Sequence, residues 1–277
     1  MGTDKASGGA LIVIGGHEDK QGDRDILERF IAMAGGRDAN IVIMTLASTN
    51  PVTVGTEYEV LFTKIGVGAV RSIHADDCRT RPEEVIEHLR RATGVFFVGG
   101  QPYRITEVIR GTAIHQELAE RRRQGMILAG TSAGALMMSE ITIMDGKSRV
   151  DPSEDTIELG EGLGFLKGLV IDVHFAERGR CGRMLSAIAK APECLGIGID
   201  EDAAMIIRDE TIEVVGRGSL FIFDPGADEF RDVTPPGNEN ISLINVRLHV
   251  LSPGCLYDLS KRRYIGCTST DSQAAGV

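Results

Sequence analysis

Residues 130–134, GTSAG, are the stretch of the chain whose residue types point most directly to catalysis. They fit the pattern G-x-S-x-G, follow the apolar run 126–130 and precede a helix-compatible stretch at 133–138. A sharp turn from strand to helix strains the serine backbone, requires small neighbours and exposes the hydroxyl at the N-terminus of the helix. Ser132 is therefore the candidate nucleophile, although small residues also serve ordinary tight turns. The absence of cysteine at this turn argues against a thiol amidotransferase.

A serine nucleophile needs a base and a carboxylate that orients the base. His174 ends the apolar run LVIDVHF and is the predicted general base, and His17, which also follows a predicted strand, is the rival. Glu201 is the favoured carboxylate because it lies in a strand-end turn after the histidine's strand and the following helix. Three aspartates remain as alternatives: Asp172, Asp200 and Asp202. The chain order Ser, His, acid differs from the order Ser, acid, His of the α/β-hydrolases and argues against that family.

Backbone amides near the serine are the predicted donors to a developing oxyanion. The amide of Ala133 adjoins the nucleophile, and the Gly99–Gly100 turn ends a neighbouring strand. Because glycine lets a backbone approach a carbonyl oxygen closely, Gly100 is the second predicted donor.

No metal, disulfide or other cofactor is expected. The five cysteines are scattered without CxxC spacing, which disfavours a disulfide framework and a zinc site. Residues 17–19, His-Glu-Asp, resemble a ligand cluster, but adjacent ligands rarely converge on one ion without a distant partner, and the sequence assigns none. The segment GGHED is therefore interpreted as structural support for the floor of the site.

Short apolar runs that alternate with amphipathic segments must position these groups. Such runs are typical of strands buried on both faces, and the alternation predicts βαβ units. The predicted fold class is α/β, a doubly wound, mostly parallel sheet flanked by helices, like flavodoxin or the class I glutamine amidotransferases. The predicted strands are 10–15, 40–48, 69–75, 94–100, 126–130 and 169–175, and the predicted helices are 24–34, 57–65, 82–91 and 112–124.

The pattern changes after about residue 195, where closely spaced short runs predict antiparallel strands, forming a C-terminal β extension over about residues 203–270. Residues 145–162 and 225–240 are predicted loops, and residues 243–251 and 257–265 are further predicted strands. Without an internal repeat or a long linker, residues 1–277 are interpreted as a single domain. In such a sheet the ligand site lies beyond the carboxyl ends of the strands, where GGHED, GGQPYR, GTSAG and DVHF all fall.

Composition excludes several classes of partner. The 277 residues include 30 Lys and Arg against 40 Asp and Glu, a formal net charge of -10. This balance argues against nucleic acid and against anionic membrane surfaces. Trp is absent, so a site walled by stacked aromatic rings is not expected. No targeting segment or apolar membrane span is apparent, and a cytoplasmic location is expected.

Five segments together resemble the cyanophycinases, within the peptidase E group of serine peptidases: GGHEDK, FVGGQPYRI, GTSAGALMMS, DVHFAERGRCGRM and GIGIDEDAA. The resemblance covers about residues 10–270. It implies an intracellular homodimeric exopeptidase that cleaves cyanophycin, a poly-aspartate chain with arginine on each side-chain carboxyl, into β-Asp-Arg dipeptides. It also implies that the catalytic residues are Ser132, His174 and Glu201.

Several charged and polar residues near these motifs are predicted to bind such a substrate. Arginine forks suit carboxylates, and Asp172 could pair with a substrate guanidinium. The predicted substrate-binding residues are Gln101, Asp172, Arg178, Arg180 and Arg183. For Arg180 and Arg183 the alternative is that they cap a helix or face a subunit interface.

Val173 departs from the pattern of these peptidases, where a glutamine commonly lies between the Asp and His of DxHF. Loss of its hydrogen bonds, worth about 0.5 to 1.5 kcal/mol each, would change affinity or preferred substrate length and leave the core chemistry intact. A peptidase E-like dipeptidase acting on short Asp or isoaspartyl peptides therefore remains an alternative. A non-catalytic ligand-binding module on the same sheet is the third hypothesis.

Overall fold

The computed structural model describes residues 8–146, 152–153, 157–226, 230–238 and 240–268. Within these ranges the helices are α1 (Asp25–Met33), α2 (Pro51–Ile65), α3 (Ala75–Thr80), α4 (Pro82–Arg91), α5 (Pro102–Ile109), α6 (Ala113–Arg123), α7 (Ala133–Leu136) and α8 (Cys181–Lys190). The strands up to the middle of the chain are β1 (Leu11–Ile14), β2 (Asn40–Met44), β3 (Ala69–Ile73), β4 (Gly94–Phe97), β5 (Ile127–Thr131), β6 (Ile141–Gly146), β7 (Ile157–Glu161), β8 (Leu169–Val173) and β9 (Leu195–Ile199). The later strands are β10 (Ala203–Arg208), β11 (Thr211–Gly216), β12 (Leu220–Asp224), β13 (Arg231–Asp232), β14 (Leu243–Ile244), β15 (Arg247–Leu251), β16 (Cys255–Asp258) and β17 (Arg263–Cys267).

A nine-stranded sheet in the order β17-β16-β11-β10-β1-β5-β4-β2-β3 forms the centre of the fold. Five neighbouring strands in this order, β1, β5, β4, β2 and β3, pair in parallel. On the other side of β1, the sheet is extended by antiparallel pairing of β10, β11, β16 and β17. The expected α/β class, with a parallel sheet and an antiparallel C-terminal extension, is confirmed.

Helices cover both faces of this sheet, as the continuous apolar strands require. In β1 all four side chains are fully buried, and they alternate between the two faces. Leu11 and Val13 pack in a core with residues of α4, α5 and α6, whereas Ile12 and Ile14 pack with residues of α1 and α2. A strand enclosed in this way reads as an uninterrupted apolar run.

The run LVIDVHF does not join the main sheet, contrary to expectation. It forms β8, at the edge of a second sheet in the order β15-β12-β9-β8. Here β9 pairs antiparallel with β12, as predicted, but on its other edge it runs parallel to β8, because α8 provides the crossover between β8 and β9. Residues of both sheets share one apolar cluster, which includes Ile171, Ile197 and Val13. The single-domain interpretation of residues 1–277 stays a prediction.

The prediction of a loop over residues 145–162 is wrong in part, because β7 within this range pairs antiparallel with β6. Ile143 and Ile157 are buried there, so the strand pair gains stability from packing that local sequence did not indicate. The predicted strand 257–265 is instead the hairpin β16–β17. Among the described residues, the longest helix, α2, has 15 residues, and no helix is long and apolar enough to cross a bilayer.

Candidate active site

Ser132 lies in the tight turn between β5, which ends at Thr131, and α7, which begins at Ala133. Its backbone has φ 53° and ψ −114°, a strained conformation for a residue with a side chain. Two neighbouring glycines make the turn possible. A Cβ on Gly130 would lie 2.5 Å from the carbonyl oxygen of Gly134, and one on Gly134 would lie 2.4 Å from that of Phe97.

The hydroxyl of Ser132 meets the imidazole of His174, with 2.9 Å between Oγ and Nε2. Both residues are anchored to the end of β1. The amide of Ser132 donates to the carbonyl of Ile14 (3.0 Å), and the amide of His174 donates to that of Gly15 (2.9 Å). The His174 side chain is only 5% exposed. The carboxyl end of β1 therefore brings the predicted nucleophile and the predicted base, from distant segments, into contact.

Glu201 lies on the far side of the His174 ring, with 2.7 Å between Oε1 and Nδ1 of the histidine. The two neighbouring aspartates have other partners. Asp200 accepts from the amides of Ala176 (2.9 Å) and Ser219 (3.3 Å), and Asp202 accepts from the amide of Asp19 (2.8 Å). The three favoured residues thus form one hydrogen-bonded series, Ser132–His174–Glu201, while their catalytic role stays a prediction.

His17, predicted as a rival base or as structural support for the floor of the site, has a more specific place in the structure. It is instead a second partner of Glu201, with 2.8 Å between Nδ1 of His17 and Oε2. Its ring stands edge-on to that of His174, with 5.2 Å between centroids. The side chain of His17 is 72% exposed. Its position three residues after the end of β1 was the signal available in the sequence.

The electrostatics of the site favour a neutral base and an ionised carboxylate. Burial lowers the pKa of His174 below its ordinary value of 6.5, although the hydrogen bond to Glu201 opposes the shift. For Glu201, burial raises the pKa, but hydrogen bonds from His17 and His174 outweigh it, so the pKa is lowered. At neutral pH His174 is therefore ready to accept a proton, and Glu201 holds it through Nδ1.

The glycine turn after β4 lies beside the nucleophile, as predicted, but Gly99 is the closer residue. A Cβ on Gly99 would lie 3.2 Å from Cβ of Ser132 and 3.7 Å from its Oγ. Gly100, at φ 144°, instead abuts the carbonyl of Ala47. Within the described part of the chain, no acceptor engages the amides of Gly99, Gly100 or Ala133. The oxyanion role of Gly100 and Ala133 stays a prediction.

Asp172, Arg180 and Arg183 form a buried charge network instead of an open binding surface. The Asp172 side chain has no exposed surface, with Oδ1 2.6 Å from Nη1 of Arg180 and Oδ2 2.9 Å from Nε of Arg183. Arg180 also donates to the carbonyl of Val173 (2.7 Å), and Arg183 to that of Gly146 (2.8 Å). Burial raises the pKa of Asp172 against the opposing pull of both guanidinium groups. This geometry favours a positioning role, and substrate contact by these three residues stays untested.

Gln101 and Arg178 are the exposed members of the predicted substrate set. Gln101 accepts a hydrogen bond from the hydroxyl of Tyr103 (2.9 Å), and the positive charge of Arg178 helps lower the pKa of His174. Val173 is 2% exposed and packs in the apolar core, so a glutamine there would bury an amide. Its effect on substrate preference stays a prediction.

Glu18 is a buried carboxylate that supports the turn between β5 and α7 through Thr131. It accepts hydrogen bonds from Oγ1 of Thr131 (2.6 Å) and from the hydroxyl of Tyr58. Burial, followed by the charge of Glu18, raises the pKa of Tyr58 well above its ordinary value. Thr131 precedes Ser132, so the hydrogen bond between Thr131 and Glu18 holds the strand end from which Ser132 projects.

The reason given for excluding a metal at His17 does not hold in the structure. The sequence assigned no distant partner to His17, yet the fold places one ligand atom each of His17, His174 and Glu201 within 4.8 Å of one another. Contacts of this kind depend on the pairing of distant strands and leave no local trace in the sequence.

Known proteins resemble this chain in both sequence and fold. Residues 11–215 match the sequence profile of peptidase family S51. A cyanophycinase of Synechococcus elongatus is 40% identical over 260 residues, covering 91% of this chain and 79% of its own length. One of Trichormus variabilis is 37% identical over 271 residues (95% and 89%), and one of Geminocystis herdmanii is 35% identical over 253 residues (90% and 93%).

Solved structures support the fold alone, because their identities are low. A peptidase from an acI-B1 Actinobacterium superposes with a TM-score of 0.63 at 20% identity, covering 89% of this chain and 98% of that one. A putative peptidase E from Listeria monocytogenes EGD-e gives 0.54 at 14% identity, covering 76% and 99%. The arrangement of sheet and helices is thus one that peptidases use.

Proposed function

The chain belongs to peptidase family S51 and is a serine-type peptidase, and from this premise we propose that it degrades cyanophycin. The proposed reaction is exopeptidic hydrolysis of the poly-aspartate backbone that releases β-Asp-Arg dipeptides. The observation that carries it is the hydrogen-bonded series Ser132–His174–Glu201 at the strand ends. Identities of 35–40% to cyanophycinases over 90–95% of the chain support the substrate class.

The first half of the proposed mechanism forms an ester on Ser132. Its Oγ attacks the scissile carbonyl carbon while Nε2 of His174, 2.9 Å away, accepts the hydroxyl proton. Glu201 accepts a hydrogen bond from the Nδ1–H of His174 and stabilises the imidazolium. The carbonyl oxygen, now negative, receives hydrogen bonds from the amides of Ala133 and Gly100. The intermediate collapses when His174 returns the proton to the leaving backbone nitrogen, and the C–N bond breaks.

The second half restores the enzyme. Water enters where the amine left, gives one proton to Nε2 of His174 and attacks the ester carbon. When the C–O bond to Ser132 breaks, that proton returns to Oγ. The acyl fragment leaves as a free carboxylic acid, so each cycle consumes one water and regenerates the hydroxyl. The lowered pKa of His174 keeps the base neutral between cycles.

We propose that two exposed residues, Arg178 and Gln101, bind polar and charged groups of the substrate. Each cyanophycin repeat carries a guanidinium and a carboxylate, and Arg178 suits a carboxylate through its fork of donors. Gln101, beside the Gly99–Gly100 turn, can accept a hydrogen bond from a substrate N–H or donate one to a substrate C=O. Asp172, Arg180 and Arg183 are assigned to hold the His174 strand and the start of α8.

The test is incubation of the purified chain with cyanophycin, followed by mass analysis of the products. β-Asp-Arg as the main product supports the proposal, and free arginine or aspartate contradicts it. A parallel series with short Asp and isoaspartyl dipeptides tests the alternative, a peptidase E-like dipeptidase. That alternative gains support if kcat/KM for a dipeptide exceeds that for the polymer.

A cytoplasmic homodimer is proposed on the family resemblance alone. Light scattering on a sizing column gives the assembly, and a mass of one chain contradicts the dimer. Fractionation of the source cells gives the compartment, and activity confined to the membrane fraction contradicts the cytoplasmic assignment.

A further inference from the structure

His17 adds a second imidazole to the proposed catalytic series, and its position gives the site a set of metal ligands. Its Nδ1 lies 2.8 Å from Oε2 of Glu201, while Nδ1 of His174 lies 2.7 Å from Oε1. The ligand atoms of the three residues fall within 4.8 Å of one another. Two imidazoles and one carboxylate therefore converge at a place that solvent reaches, because His17 is 72% exposed and Glu201 26%.

We propose that His17, Glu201 and His174 form a binding site for Zn²⁺ or a similar transition-metal ion. Two histidines and a glutamate, with a fourth position left to water, are a ligand set that zinc accepts. Tetrahedral zinc, with bonds of about 2.0–2.1 Å, separates its ligand atoms by roughly 3.4 Å. The contacts of 2.8 and 2.7 Å to Glu201 must therefore open by about 0.6–0.7 Å. The exposed side chain of His17 can open the first contact, and because His174 is buried, the carboxylate of Glu201, which is 26% exposed, must move to open the second.

A metal ion at this site should inhibit the peptidase activity of Ser132, a consequence that rests on the proposed function. The ion binds through the deprotonated Nδ1 of His174, so the ring carries its proton on Nε2. Nε2 then donates toward Oγ of Ser132 and cannot accept its proton. The bond from Nδ1 to Glu201 is lost at the same time. Because no bond to the metal involves the nucleophile itself, removal of the ion by a chelator restores activity.

Binding is measured without substrate, so that the result does not depend on turnover. Ser132→Ala protein is titrated with Zn²⁺ by calorimetry, and with Co²⁺ by its visible absorption. In metal sites, removing a residue that only hydrogen-bonds to a ligand weakens metal affinity by about 10–100-fold. Removing a ligand itself should therefore weaken the affinity by at least about tenfold. We expect one site per chain, and at least that weakening when His17→Gln is added. Gln retains a donor for Glu201 but offers no imidazole.

His88→Ala is the matched control, because it removes an imidazole from α4 beside Arg71 and Glu84, on another element. It should leave the metal affinity unchanged. The proposal is overturned if no metal binds at millimolar concentration, or if His17→Gln and His88→Ala have equal effects. In the activity arm, zinc should inhibit the wild type and, relative to its own metal-free rate, inhibit His17→Gln at least about tenfold less strongly. A chain inactive on cyanophycin but binding metal as described would refute the proposed function and leave the site intact.

Discussion

Gly16→Ala places a methyl group against the imidazole of His174. Gly16 has φ +104°, and a Cβ built there lies 2.2 Å from Cε1 and 2.6 Å from Nε2 of the histidine. Ordinary contacts begin near 3.4 Å, so the ring or the Gly16 backbone must move by about 1 Å. Because the Ser132 bond uses that same Nε2, the movement separates the base from the nucleophile.

The expected loss in kcat follows from this displacement. A misplacement of about 1 Å costs on the order of 100-fold in rate, which is about 2.7 kcal/mol of transition-state stabilisation. The free energy of unfolding should fall as well, because a left-handed backbone conformation costs about 1–2 kcal/mol at alanine. The variant should therefore fold with a slightly lowered Tm and lose most of its turnover.

Turnover on cyanophycin and thermal unfolding are measured together, with Gly111→Ala as the control. Gly111 has φ +76° and nothing within 4 Å of a built Cβ, so the control carries the backbone penalty without the contact. Gly111→Ala should lose stability and keep wild-type kcat. If Gly16→Ala also keeps kcat within a few-fold of the wild type, the assignment of His174 Nε2 as the base is refuted.

Three further predictions concern buried charge and pH. Asp172→Asn should lower the free energy of unfolding by about 3–5 kcal/mol, because it leaves the buried charges of Arg180 and Arg183 uncompensated. Glu87→Gln, the control at an exposed ion pair, should lower it by less than about 1 kcal/mol in the same denaturant titration. Equal losses for the two variants would contradict the buried network. Thr131→Val should cost about 1–3 kcal/mol by leaving an oxygen of Glu18 unsatisfied, and an unchanged unfolding midpoint would count against that support. Since burial lowers the pKa of His174, that base stays neutral down to a pH below 6.5, and the acid limb of kcat/KM should have its midpoint below that value; a midpoint above it would show that another group controls the limb.

The chemistry-bearing turns could be predicted because each depends on local sequence. A glycine-flanked serine after an apolar run specifies a strand, a strained turn and a helix within ten residues. His174 and Glu201 follow apolar runs as well, so the rule that sites lie beyond strand ends placed them together. The main parallel sheet followed from the same alternation of runs and amphipathic segments.

The parts that could not be predicted depend on distant pairing and on burial. His17 reaches Glu201 because β10, which follows Glu201, pairs antiparallel with β1, and local periodicity does not reveal such a register. The second sheet has the same cause, since apolar runs do not say which neighbour they join. Arg180 and Arg183 looked like surface charges suited to substrate. Their burial against Asp172 is a property of the packed fold.

The most direct test of the central claim is the rate at which Ser132→Ala releases dipeptide from cyanophycin, compared with the wild type at equal concentration. Oγ of Ser132 is hydrogen-bonded to Nε2 of His174, and alanine removes this attacking oxygen while keeping the Cβ of the side chain. The account predicts β-Asp-Arg from the wild type, none above background from the variant, and an unchanged or slightly raised Tm. Release of the dipeptide by a folded Ser132→Ala protein at the wild-type rate would contradict it.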